Sequence, residues 1–268
     1  MADYPAEQWQ LPNYEVHELA EKSTKYCVCV FVINEGQKFH KQLERMEQFA
    51  KEIDIIIADG DSMDGSTDIN ILKNFNVNTL LIKKGVGRLG AQMRMAFAWA
   101  LKRGYEGVIV IDGNNKDSVE DLPNFVAKLD EGYDHIQGSR FIKNGYHVNT
   151  PLSRLIGLKL LHAPLMRLSS RFNYTDTTNG FRAYSRKFLQ DKRVAVFRDI
   201  FESYELHYYL AIRAPQLGYK CTEIPVSRIY PAKGKTPTKI SPLRGNLEVI
   251  LKLFAVCMGK YNPEHKNG

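Results

Sequence analysis

Three short runs rich in β-branched residues, at 26–33, 53–59 and 108–112, each empty into a cluster of side-chain oxygens. The clusters are Asn34-Glu35, the stretch from Asp59 to Ser66, and Asp112-Gly113-Asn114-Asn115. A further β-rich run covers 79–83, and the segments between these runs read as helical. In 90–102, for example, Met93, Ala96, Phe97 and Ala100 recur at helical spacing. Strands alternating with helices predict an α/β fold with a parallel sheet, and such sheets bind ligands at the carboxyl edge of their strands. Unrelated turns would fall at both edges, whereas all three polar clusters fall on this one.

The third cluster carries the most chemistry. Side chains of period two send Asp112 and Asn114 to the same side of the chain, and Gly113 between them admits a ligand close to the backbone. Hard cations such as Mg or Mn take carboxylate and amide oxygens and keep positions for a diphosphate. The same residues are turn chemistry wherever they occur, so the strand that precedes them gives the metal reading its force.

The chain has 268 residues, enough for one large α/β domain or two small ones. Its 37 Lys and Arg exceed its 30 Asp and Glu, and the net charge of +7 favours anionic partners. The basic residues are scattered among carboxylates, without a signature of stacked aromatics on a sheet, so nucleic acid is not expected. No apolar run reaches spanning length, and residues 1–10 lack the form of a signal peptide. A cytoplasmic protein is expected, with room for peripheral contact at the cytoplasmic face of a membrane. The four cysteines make neither a zinc cluster nor a disulfide framework.

Residues 1–24 are polar and aperiodic and read as a tail or surface wrap. Beyond the fourth strand come a helix at 119–131, a short strand at 135–138, an apolar and basic stretch at 151–172 and a polar knot at 176–182. A helix at about 199–214, a strand at 221–225, a basic Pro-rich loop at 227–240 and a last helix complete the chain. Ser241 as N-cap, Pro242 at the first position and Gly259 beyond the end bound that helix.

The order of these motifs resembles the family 2 glycosyltransferases of GT-A fold, and within them the polyprenyl-phosphate (dolichyl-phosphate) mannosyl and glucosyl transferase group. The match runs over about 26–240. Asn34-Glu35 and the Asp-rich turn with Asp59 and Asp61 stand where the family contacts its nucleotide. Gly87 to Arg94 resembles the following Gly-rich stretch, and Asp112-Gly113-Asn114 the metal-binding Asp-x-Asp. Gly138-Ser139-Arg140-Phe141, the segment from Asp176 to Arg182, and Glu223-Ile224-Pro225-Val226 match three later motifs. The resemblance implies a GT-A (Rossmann-like) domain at 25–240, with a mainly parallel central sheet flanked by helices. Its nucleotide-sugar half would be about 25–118 and its acceptor half about 119–240. A C-terminal helix and tail would fill 241–268.

Three departures stand out. Asn114 replaces the second aspartate of the metal motif, Lys116 stands where lipid-phosphate members place a third ligand, and the loop reads Gly234-Lys235-Thr236-Pro237-Thr238-Lys239. The resemblance implies an inverting, metal-dependent hexosyl transfer from a nucleotide diphosphate sugar, of GDP-mannose or UDP-glucose type, to a polyprenyl phosphate. Asp112 and Asn114 would hold Mg or Mn. Asn34, Glu35, Asp59, Asp61, Arg88, Arg94 and Gly113 would serve the nucleotide sugar. Arg140, Arg154, Asn179, Arg182, Arg228 and Lys239 would serve the acceptor, with Asp112, Asp176 and Arg140 at the chemistry. A phosphate acceptor is already an anionic nucleophile and needs arginines rather than a base. A glycan hydroxyl, as in surface polysaccharide synthesis, needs a carboxylate to take its proton, for which Asp176 is the first candidate and Glu205 the second. A nucleotide-sugar binding module without catalysis is the alternative outside enzymes.

Overall fold

The structure is a computed structural model and describes residues 3–231 and 244–263. Its strands are β1 (Tyr14–Glu18), β2 (Tyr26–Val32), β3 (Asp54–Asp59), β4 (Val77–Lys83), β5 (Gly107–Asp112), β6 (His135–Ser139), β7 (Tyr146–Val148), β8 (Arg182–Ser185), β9 (Cys221–Pro225) and β10 (Ser227–Ile229). Its α-helices are α1 (Gln37–Met46), α2 (Ile69–Asn74), α3 (Leu89–Lys102), α4 (Leu122–Asp130), α5 (Leu152–Gly157), α6 (Ala163–Ser170), α7 (Arg186–Gln190), α8 (Glu205–Gln216) and α9 (Arg244–Cys257). A π-helical stretch, Leu158–His162, joins α5 to α6 without a break.

Eight strands form one sheet in the order β1-β4-β3-β2-β5-β8-β6-β9. The run β4-β3-β2-β5 is parallel, as is β6 with β9, while β1 and β8 run antiparallel to their neighbours. Alternate residues of the central strands feed two cores, one on each face. Cys27, Cys29, Val108 and Val110 pack toward α3 and α8. Val28, Val30, Ile109 and Ile111 pack toward α1 and α4, where Phe39, Leu43 and Phe125 are fully buried. Each such side chain contributes roughly 1.5–3 kcal/mol, and truncating Ile109 to alanine would cost about 2–5 kcal/mol. Both cores hold β5 rigid, and β5 carries Asp112 at its end.

Three features differ from the sequence expectation. Part of the expected N-terminal tail, residues 14–18, is an edge strand on β4. Arg182, read as the end of a polar knot, instead opens β8, which runs to Ser185 in the middle of the sheet, antiparallel to both β5 and β6. The helix expected from about 199 starts at Glu205, because the Glu205 carboxylate accepts from the backbone N–H groups of Glu202 and Ser203 and holds those residues in a turn. The expected caps Ser241 and Pro242 lie outside the described residues, while Gly259 follows α9 with φ of 74°. No helix among the described residues is long and apolar enough to cross a membrane.

Candidate active site

The loops after β2 and β3 are built around two carboxylates. Buried Asp59 accepts from the Ser62 N–H, from the Ser62 hydroxyl at 2.6 Å and from Thr67. Asn34, in the left-handed region at φ 49°, donates its N–H to the Ser62 hydroxyl and accepts from Met63. Asp64 accepts from Gly36 at 2.8 Å, and the Ser66 N–H and hydroxyl hold its carboxyl below the ordinary range against the opposing effect of burial. The two loops therefore support one another at the sheet edge, with Glu35 half-buried beside them. Asp61 lies further out, paired with Lys84 at 2.8 Å.

At the end of β5, Gly113 is required by packing, because a Cβ there would stand 2.8 Å from Val32. Gly180, from the loop before β8, covers the Asp112 carboxylate, and its Cβ would lie 3.5 Å from an Asp112 oxygen. Arg228 of β10 reaches the same carboxylate at 3.2 Å and also pairs with buried Asp117. Burial alone would depress the Arg228 guanidinium, but Asp117 and Asp112 raise it well above its ordinary value. Asn114 donates to Asp112 at 3.3 Å, while its buried Oδ1 has no hydrogen-bond partner. Lys116 is buried, its ammonium 5.4 Å from the centre of the Tyr230 ring, and burial with Arg228 nearby lowers its pKa.

The hard-oxygen pair Asp112 and Asn114 fits a divalent cation, and the orphaned amide oxygen of Asn114 is a ligand without another use. Among the described residues no group of three or more His, Cys, Asp or Glu could complete such a site. The remaining positions would fall to a diphosphate and water.

Beside this pair stands a cationic cluster centred on buried Tyr230. Arg228 and Arg154 lie 5.7 and 5.8 Å from its ring, and Arg154 contacts its hydroxyl at 3.4 Å. Arg140 is buried and forks onto Asp176 with bonds of 2.6 and 2.9 Å. Burial would raise the Tyr230 phenol, yet Arg228, Arg140 and Arg154 hold it below its ordinary value. The local field is thus positive enough to outweigh desolvation. For Asp176 the same contest occurs: burial raises its carboxyl, and Arg140 brings it below the usual range. A network behind it fixes the pair, since Glu223 accepts from the N–H groups of Thr175 and Asp176.

Several expected residues lie elsewhere or do other work. Arg94 is buried against the carbonyls of Phe201 and Gln10, so its charge is turned away from the loops. Arg182 is fully buried and donates to the carbonyls of Asn179, His207 and Thr177, an anchor for β8 and α8 rather than an open cation. Asn179 is buried and accepts from the Phe181 N–H, which sets the turn that brings Gly180 over Asp112. Arg88 is exposed and faces Glu248 of α9 at 3.4 Å. Glu205 is buried, capping α8 and paired with Lys252 at 2.9 Å. Lys239 lies outside the described residues. Sequence reasoning missed Asp117 and Tyr230. The first lies three positions beyond Asn114, just past Lys116, and the second gave no signal beyond its place in a basic loop.

Residues 27–192 match the model of the glycosyl transferase family 2. The chain belongs to the family 2 glycosyltransferases. As a glycosyltransferase it is similar to an undecaprenyl-phosphate mannosyltransferase of Micrococcus luteus, 29% identical over 201 residues that cover 72% of this chain and 79% of that one. A polyprenol monophosphomannose synthase of Mycolicibacterium smegmatis is 25% identical over 203 residues, 75% of this chain and 76% of that one. In fold, this family 2 member is similar to the GT-A enzyme glucosyl-3-phosphoglycerate synthase of Mycobacterium tuberculosis in complex with Mn2+, UDP and glucosyl-3-phosphoglycerate. The TM-score is 0.62 at 15% identity, over 90% of this chain and 81% of that one.

Proposed function

We propose that this glycosyltransferase moves a hexose, with inversion, from a nucleotide diphosphate sugar of GDP-mannose or UDP-glucose type to a polyprenyl phosphate at the cytoplasmic face of a membrane. The observation that carries this reading is the gathering of Arg228, Arg154 and Arg140 around Tyr230, the first two 5.7 and 5.8 Å from its ring, with a combined charge that outweighs burial at its phenol. Such a field suits a phosphate monoester. The names of the Micrococcus and Mycolicibacterium relatives support the same acceptor class.

The chemistry follows from charge. A phosphate oxygen of the acceptor attacks the anomeric carbon from the face opposite the diphosphate, a new C–O bond forms, and the electron pair of the old one leaves with the nucleoside diphosphate. Arg140, Arg154 and Arg228 hold and orient the attacking phosphate, and no proton has to be removed from it. A divalent ion on Asp112 and Asn114 would act as a Lewis acid toward the diphosphate. The loops of Asn34, Glu35 and Asp59 would hold the nucleoside. Against a hydroxyl acceptor speak the surroundings of both candidate bases: Asp176 is buried and gripped by Arg140 through two bonds, and Glu205 is buried and paired with Lys252.

The test is to incubate purified protein with Mn and a polyprenyl phosphate against a panel of nucleotide sugars, with mass spectrometry of the lipid fraction. A lipid-linked hexose from one donor is expected. Its absence across the common donors would overturn the proposal.

A further inference from the structure

The turn that leads into α8 is held from both sides. Buried Glu205 accepts from the backbone N–H groups of Glu202 and Ser203, each at 2.6 Å, and Lys252 of α9 pairs with the same carboxylate at 2.9 Å. Across the turn, the Glu202 carbonyl accepts from the N–H groups of Arg88 and Gly90 at 2.8 and 3.1 Å. The approach is so close that a Cβ on Gly90 would stand 2.6 Å from the Phe201 carbonyl oxygen. The turn is therefore locked to the start of α3, and half-buried Tyr204, the residue just before α8, has a fixed place at the carboxyl edge of the sheet.

Tyr204 and Tyr208 are four residues apart and lie on one face of α8. Tyr208 is buried with its ring 4.7 Å from that of His162, and His162 shares a hydrogen bond of 2.7 Å with the Thr177 hydroxyl. Thr177 belongs to the loop that carries Gly180 over Asp112. One turn earlier, the same face of α8 comes to the Asp112 carboxylate. Three charges from three elements accordingly reach the Tyr204 phenol: Asp112 at the end of β5, Arg154 of α5 and Arg88 before α3. Burial raises the phenol's pKa, Asp112 adds to the rise, and the two arginines oppose it. Its hydroxyl makes no hydrogen bond among the described residues.

We propose that Tyr204 contacts the transferred hexose, its hydroxyl donating to a sugar hydroxyl while its ring covers the sugar's C–H surface. The assignment rests on the proposed transfer from a nucleotide diphosphate sugar, and not on the identity of the acceptor. In that transfer the diphosphate belongs beside Asp112 and the attacking phosphate beside Arg154. A side chain between those two residues faces the group that passes from one phosphate to the other, which is the sugar. A phenol suits this place, because it joins an apolar ring to a hydroxyl that both donates and accepts. The Glu205 and Lys252 pair then positions Tyr204 through the turn and has no need to touch the sugar.

The test is titration calorimetry of the full chain in Mn with GDP, UDP, GDP-mannose and UDP-glucose, on the wild type and on Tyr204→Phe. Tyr204→Phe should leave the affinity for the nucleoside diphosphate within about twofold and weaken the matching nucleotide sugar about three- to tenfold, the worth of one neutral hydrogen bond. A residue that only shaped the fold would shift both ligands together, and the melting temperature with them. Equal losses for the two ligands, or none for either, overturn the assignment. Wild-type protein that binds none of the four ligands overturns it together with the proposed donor. No acceptor enters this measurement, so it fails separately from the lipid assay. A chain that shows the split but glycosylates no polyprenyl phosphate keeps Tyr204 and loses the acceptor. A chain that forms a lipid-linked hexose, while Tyr204→Phe binds both ligands as the wild type does, keeps the function and loses Tyr204.

Discussion

The Arg228 guanidinium lies 3.2 Å from the Asp112 carboxylate, so a cation of the protein itself stands on the strand end that a metal would share. The same guanidinium holds Asp117, which burial pushes toward the protonated form. Arg228 thereby links the carboxylate at the end of β5 to buried Asp117 and to the Tyr230 ring.

Replacing Arg228 by glutamine should raise the acceptor KM about 10- to 100-fold, the worth of a charged hydrogen bond to phosphate. It should also destabilise the fold by about 3–5 kcal/mol, because Asp117 is left buried without its partner. Adding Asp117→Asn should restore much of the stability while leaving the acceptor KM high. Denaturant unfolding and steady-state kinetics measure the two effects separately.

Asn114 offers the metal a neutral oxygen where a carboxylate would bind more tightly. Asn114→Asp should lower the Mn concentration needed for half-saturation about tenfold, by calorimetry in the presence of a nucleoside diphosphate as well as by activity. Lys116→Gln should act in the same direction, since it removes an ammonium that competes with the ion for the same field.

Asp176→Asn removes the charge that Arg140 is folded around. The expected outcome is a lower melting temperature and a raised acceptor KM, with kcat changed less than about tenfold, because Asp176 positions an arginine and takes no proton. A pH–rate profile for the wild-type chain should show no limb that disappears in Asp176→Asn. Loss of kcat by several powers of ten, together with loss of such a limb, would make Asp176 a general base.

Three buried histidines set an acid limit on stability. Burial lowers the pKa of His162 to about 4, helped by Arg182, and pulls His135 and His207 well below the ordinary 6.5. Between the folded and unfolded values the unfolded chain binds protons that the fold does not, so stability is present above 6.5 and falls as pH drops toward 4. Going from neutral pH to about pH 5 should cost roughly 2 kcal/mol for each histidine. In His162→Asn that loss should be smaller by one such share, as read by urea unfolding at the two pH values.

Much of the fold was legible in the chain because the continuous apolar, β-rich runs of β2, β3 and β5 and the helical spacing in α3 are local signals. The strand β8 was not. Its four residues begin with Arg182, and they become a strand because β5 and β6 offer open edges on both sides and because three carbonyls hold the arginine. The residue types at the site were legible as well, from oxygens at a strand end and arginines in later motifs. Their partners were not, because pairs such as Arg228 with Asp117 join positions 111 residues apart. Arg94 and Arg182 show the same limit: sequence displays the charge, and the carbonyls that absorb it appear with the tertiary fold.

The central claim is that the arginines around Tyr230 receive a phosphate that is itself the nucleophile. Its most direct measurement compares a polyprenyl phosphate with the same polyprenol lacking phosphate, under identical donor and Mn, by quantifying labelled lipid. The account predicts product from the phosphate alone, abolished or strongly reduced by Arg140→Ala or Arg228→Gln. Transfer to the free alcohol or to a glycan hydroxyl at a comparable rate, retained in those arginine variants and lost in Asp176→Asn, would contradict it.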